Sequence, residues 1–207
     1  MTNFEKNMSH LKKKDETLYY KVQSETSSNY VGIHNEDGSL NVYSKRDDQF
    51  LYPFSNIQEN MDISLVGEDI QNLSMCFLFG CGIGYELTTL LTKTFKKYNT
   101  KYLIVIEKDI ELFKKLLEVI DISNLIDSDH IDFIVGVPEE HVYAKVRQCI
   151  ENNDRTYYVK SMNIVGNVKN YELNQSYYSN ISKSIREALV GLFLSLGNDP
   201  YDALIGI

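Results

Sequence analysis

The chain has 207 residues, a net charge of −8, a pI near 5.0 and 43% apolar content. That length suffices for one domain with a substantial core, and the acidic balance argues against a nucleic acid partner, which would need a broad cationic surface to neutralise phosphates. No apolar run nears the ~20 residues that cross a bilayer, and the opening Met1-Thr2-Asn3-Phe4-Glu5-Lys6 lacks a secretion signal, so no membrane partner and a cytoplasmic location are expected.

In chain order, Phe4 to Glu16 has helical spacing. Leu18-Tyr19-Tyr20-Lys21-Val22, Tyr30-Val31-Gly32-Ile33 and Leu40-Asn41-Val42-Tyr43 are β-prone runs separated by turn chemistry. Asn35-Glu36-Asp37-Gly38-Ser39 predicts a hairpin turn, because Asp-Gly supplies residues that tolerate positive φ. Residues 1–55 are therefore expected to form a helix and a small antiparallel β appendage.

From Met75 onward, strands alternate with helical stretches, the pattern of a parallel sheet with crossover helices. The predicted strands are Met75 to Phe79, Tyr102 to Ile106, Ile131 to Val135 and Tyr157 to Val165; helices are predicted over Tyr85 to Tyr98, Ile110 to Ile120 and Glu139 to Glu151. The first three strands are almost continuously apolar, as strands buried on both faces should be. A last helix over Tyr171 to Leu196 ends at the stop signal Gly197-Asn198-Asp199-Pro200. Residues 56–207 thus read as a Rossmann-like, methyltransferase-like α/β domain with a mostly parallel sheet and flanking helices.

The stretch Phe79-Gly80-Cys81-Gly82-Ile83-Gly84-Tyr85 carries the most chemical information. An apolar strand enters a loop with glycine at alternate positions and a helix leaves it, so amide donors and a helix N-terminus are set beside the sheet edge, where an anionic or polar ligand group is favoured. Tyr85 occupies the place of the third glycine of a dinucleotide fingerprint, which points away from NAD or FAD and toward the first motif of S-adenosylmethionine-dependent methyltransferases. Glu107, at the end of the next strand, stands where an acid commonly accepts from ribose hydroxyls. Gly80, Gly82, Gly84, Tyr85 and Glu107 are the candidate cleft residues, and a nucleotide, a nucleotide sugar or S-adenosylmethionine are the candidate ligands. Leu78 stands where the methyltransferase pattern has an acid, and Gly136-Val137 and Thr156-Tyr157-Tyr158-Val159 offer no replacement for its later acids. The structural alternative is that the glycines only turn the chain tightly and Glu107 caps the second helix or pairs with a lysine.

Little else suggests catalysis. Cys76, Cys81 and Cys149 lack metal-type spacing and read as buried small residues in a reducing compartment. The four histidines fall on different elements, and Asp127, Asp129 and Asp132 read as a solvated loop rather than a cation site. No catalytic residue and no metal ligand is assigned.

Tyr52-Pro53, Gly80-Cys81-Gly82-Ile83-Gly84-Tyr85, Ile106-Glu107 followed by Leu112-Phe113, Val135-Gly136, and Asn198-Asp199-Pro200-Tyr201-Asp202-Ala203-Leu204-Ile205-Gly206 occur in an order that resembles bacterial motility-associated factor (Maf) proteins. The resemblance implies an N-terminal domain of a glycosyltransferase that adds nonulosonic acids, of the pseudaminic and legionaminic kind, to flagellin from a CMP-activated donor. It implies as partners a transfer domain downstream in the same polypeptide, and flagellin. The chain stops at Ile207 directly after the last matching motif, so a longer polypeptide is expected. The role implied is to support the catalytic domain or recognise flagellin, the alternative being an unusual methyltransferase.

Overall fold

The computed structural model describes residues 1–60, 63–65, 74–95, 99–151 and 155–196. Thr2 starts helix α1 (Asn3–Lys14): its hydroxyl accepts from the Glu5 N–H at 3.2 Å while the Glu5 carboxylate accepts from the Thr2 N–H at 2.8 Å. Lys12, Lys13 and Lys14 lie in the last turn, at the negative end of the helix dipole. Asp15 then caps α2 (Glu16–Ser24) by accepting from the Leu18 N–H at 2.9 Å. The strand expected over Leu18 to Val22 is therefore a helix. Leu18 and Val22, four residues apart, are buried on one helical face, and that burial outweighs the β propensity of Tyr19 and Tyr20.

Strands β1 (Tyr30–His34), β2 (Leu40–Ser44) and β3 (Gln49–Phe50) form the small antiparallel sheet, with Gly38 at φ +81° in the expected turn. The single-turn helix α3 (Ile57–Asn60), β4 (Ile63–Leu65), β5 (Met75–Phe79) and α4 (Tyr85–Thr89) follow, and α4 continues as a π-helical turn over Leu90–Thr94. Then come β6 (Tyr102–Glu107), α5 (Ile110–Val119), α6 (Ser123–Ile126), β7 (Ile131–Val135) and α7 (Glu139–Glu151). A 3₁₀ segment at Thr156–Ser161, β8 (Met162–Asn167), α8 (Val168–Leu173) and α9 (Gln175–Leu196) complete the described fold.

The larger sheet has the order β4-β8-β5-β6-β7, with β5 to β8 parallel and β4 antiparallel to β8. The Rossmann-like α/β expectation holds. One face buries Cys76, Leu78, Leu103 and Val105 under α1, α2 and α5; the other buries Phe77, Phe79, Ile104 and Ile106 under α7 and α9. No helix among the described residues is long and apolar enough to cross a membrane.

Two further expectations need correction. The fourth parallel strand begins at Met162, not Tyr157, because its neighbour β5 begins at Met75, directly opposite. Residues before Met162 have no ladder to join, so they coil as a 3₁₀ turn and the Ser161 carbonyl accepts from the Ser74 N–H. The helix expected over Tyr171 to Leu196 is broken at Asn174, whose backbone leaves the helical region at φ −126° and whose side chain accepts from Lys108 Nζ at 2.9 Å. The stop at Gly197 to Pro200, residues 96–98 of the helix predicted after the glycine loop, and the stretch Asn198 to Gly206 lie outside the described residues.

Helix α1 is locked to α5 by Asn7, a fully buried amide. Its Nδ2 donates to the Leu117 and Ile120 carbonyls at 2.9 and 2.7 Å, and its Oδ1 accepts from the Ile122 N–H at 2.9 Å. Asn7→Ala strands three backbone groups and is expected to lower the unfolding free energy by about 2 kcal/mol in urea titrations. An unchanged midpoint would show that α1 is not part of the cooperative unit.

Candidate functional site

Successive strands β5, β6 and β7 step outward, and the chain then returns to place β8 on the other side of β5. The C-terminal edge between β5 and β8 is thus the point where strand order reverses, the usual ligand crevice of an open α/β sheet. The bend Gly80 to Gly84 opens there, between β5 and α4, as the glycine spacing predicts. Gly80, Gly82 and Gly84 have φ of +75°, +52° and +103°, a region that side chains disfavour.

The crevice is filled by the chain's own side chains. Tyr52 Oη, from the segment after β3, accepts from the Ile83 N–H at 2.9 Å and donates to Glu86 Oε2 at 3.1 Å. Asn167, closing β8, donates to Glu86 Oε1 at 3.0 Å. Glu107 turns back into the loop: Oε2 accepts from the Cys81 N–H at 3.0 Å, and Oε1 accepts from the Asp109 N–H at 3.0 Å, just before α5. The Gly80 and Gly84 amides bond to the Ile106 and Cys81 carbonyls. A Cβ on Gly80 would run into the Asn170 carboxamide of α8, and one on Gly84 would lie 2.6 Å from Ile120 Cδ1.

Burial dominates the electrostatics. Glu86 is pushed up to about 8 and Glu107 to about 7, chiefly by desolvation. The Cys81 thiol rises for the same reason, with Glu107 and Glu86 adding repulsion, so it is poorly suited to act as a nucleophile. Tyr85 faces away from the crevice: its hydroxyl donates to the Leu40 carbonyl at 3.1 Å and its ring packs edge-on against Tyr52. It thereby ties the antiparallel sheet to the start of α4, and Glu111, which accepts from the Tyr30 N–H at 2.9 Å, ties the same sheet to α5.

Gly80, Gly82, Gly84 and Glu107 therefore meet at one bend with Tyr85 at its exit, but their groups are committed to Ile106, Cys81, Asp109 and Leu40, and the Tyr52 hydroxyl sits over Gly82. A nucleoside cofactor does not fit this arrangement. The Cys81 and Ile83 amides are taken, the space over Gly82 holds the Tyr52 hydroxyl, and Leu78 is fully buried where an acid would grip the ligand. Beyond Glu107 an open cleft of about 570 Å³ lies between Arg46, Lys108, Gly136 and Tyr177. Its cations are engaged as well, Arg46 with Asp109 at 3.6 Å and Lys108 with Asn174. Elsewhere, Asp127, Asp129 and Asp132 pair with His10, Lys14 and Arg155 respectively.

Glu86, Asn167 and Asn170 are absent from the sequence-derived site. Glu86 had a faint signal: it stands four residues before Leu90 and so on the buried face of its helix. Asn167 and Asn170 had none, since only the return of β8 beside β5 brings them to the loop.

The chain matches the family model described as glycosyltransferase Maf N-terminal domain over residues 54–190. No curated protein sequence matches it. Among solved structures it is similar to the Maf glycosyltransferase from Magnetospirillum magneticum AMB-1, with a TM-score of 0.61 and 12% identity, over 91% of this chain and 35% of that one. At that identity the likeness speaks for the fold. The chain spans about a third of the length of that protein.

Proposed function

Because the chain belongs to the glycosyltransferase Maf N-terminal domain family, we propose that it is a non-catalytic unit of a cytoplasmic flagellin glycosylation system. In this reading it supports a transfer domain that moves nonulosonic acids onto flagellin, and the glycine bend is an architectural joint rather than a cofactor site. The observation that carries the reading is the Tyr52 hydroxyl seated on the Ile83 amide and on Glu86, inside the crevice that a nucleoside would have to enter. Fold alone does not assign chemistry, and the groups available around this bend are spent on one another.

Calorimetric titration of the purified chain with S-adenosylmethionine and with CMP tests this, and no saturable heat is expected for either. Methyl transfer or sugar transfer by the chain alone would sink the reading. Saturable S-adenosylmethionine binding that expels Tyr52 would favour a methyltransferase instead.

A further inference from the structure

Among the described residues, strand β7 is an edge of the larger sheet. In a parallel pair, alternate residues of a strand turn both N–H and C=O toward the same neighbour. The His130 carbonyl and the Gly136 N–H bond to β6 residues Leu103 and Glu107, so the N–H and C=O groups of Ile131, Phe133 and Val135 point the other way. None of these outward groups has a hydrogen-bond partner among the described residues.

This edge is the floor of a trough of about 390 Å³. Lys14, Asp15 and Lys21 lie on the α1–α2 wall, Asp15 being engaged as the cap of α2, and Lys145 and Gln148 lie on the α7 wall. Edge strands left to solvent are ordinarily guarded by charge, proline or a bulge. The single charged residue of β7, Asp132, is already paired with Arg155, while Ile131, Phe133, Ile134 and Val135 leave the strand apolar on both faces. Backbone groups set in a trough without partners are unfavourable, and one extended chain laid along β7 would satisfy them.

We infer that the outer edge of β7 is a β-addition site for an extended, acidic segment of a partner protein. The sign of the partner follows from the walls. Lys21 and Lys145, one on each side, have no ion-pair partner among the described residues, although the chain as a whole carries a net charge of −8. A second copy of this chain suits the trough less well, because two β7 strands paired antiparallel about a two-fold axis would set each lysine near its own copy. This inference does not depend on the state of the glycine bend.

The test uses the whole chain and a labelled peptide of about eight residues alternating valine and glutamate, a length matched to a short strand. Three further probes are its lysine-for-glutamate counterpart, the same peptide N-methylated at alternate amides, and the protein variant Lys21→Glu/Lys145→Glu. Binding by fluorescence anisotropy is expected for the acidic peptide, about tenfold weaker with the double variant and with the lysine peptide, as lost charge complementarity dictates. The peptide methylated on the amides that face the protein should not bind, since it cannot form the ladder. Amide exchange at Ile131, Phe133 and Val135 should slow by about tenfold or more on binding. Absence of binding, equal binding by the methylated peptide, unchanged exchange at these residues, or a self-associated protein that already protects them would each overturn the inference.

Discussion

Gly82→Ala is expected to lower the unfolding free energy by about 4 kcal/mol or more, a large share of the stability of an ordinary domain. Two effects combine. The backbone at φ +52° costs a side chain about 1 to 2 kcal/mol. The added methyl group would also overlap the Tyr52 hydroxyl and lie 2.8 Å from both Glu86 oxygens, so Tyr52 must withdraw and leave the Ile83 amide and Glu86 buried without it. Tyr52→Phe alone should cost about 2 kcal/mol, through the same abandoned partners. Because it deletes the oxygen that the new methyl group would meet, the double variant should lose clearly less than the sum of the two single losses. Urea unfolding of the three variants gives the cycle; strictly additive losses, or a near-native Gly82→Ala, would mean that Tyr52 does not occupy the bend.

The second large effect is in pH. Glu86 and Glu107 have folded pKa values of about 8 and about 7, above the ordinary carboxylate value of 4.5. Between those limits the folded chain holds protons that the unfolded chain has released, so the stability these groups contribute is complete below about pH 4.5 and is lost as pH rises through 7 and 8. From about pH 5 to about pH 9 the unfolding free energy should fall on the order of 6 kcal/mol. Glu86→Gln should remove more than half of that slope, because its pKa is raised furthest, and should leave the variant relatively more stable at the alkaline end. A wild-type profile flat over this range would show that the two carboxylates are solvated or neutralised.

The same burial explains which parts of the site are legible in the chain. Glycine at alternate positions after an apolar strand announces the bend, since few other residues tolerate three positive φ values in such a short stretch. Glu107 was visible as the acid closing the next strand, yet its partner was not. Whether that carboxylate meets a ribose or the Cys81 amide depends on whether anything else fills the crevice. Tyr52 does so, and it lies thirty-one residues before the amide it caps. Leu18 to Val22 misled for a related reason: its aromatic pair favours a strand locally, whereas the Asp15 cap and the burial of Leu18 and Val22 favour a helix.

Local pattern alone determined the α/β alternation, three of the four parallel strands, the hairpin turn and the glycine bend, because those rest on short-range periodicity and on backbone angles that only certain residues accept. Tertiary structure alone decided that β8 returns beside β5, that Tyr52, Asn167 and Asn170 close the crevice, and that β7 is left as an edge among the described residues. Each of these depends on strand order and on hydrogen bonds between residues far apart in the chain, and neither leaves a periodic mark on the residues involved.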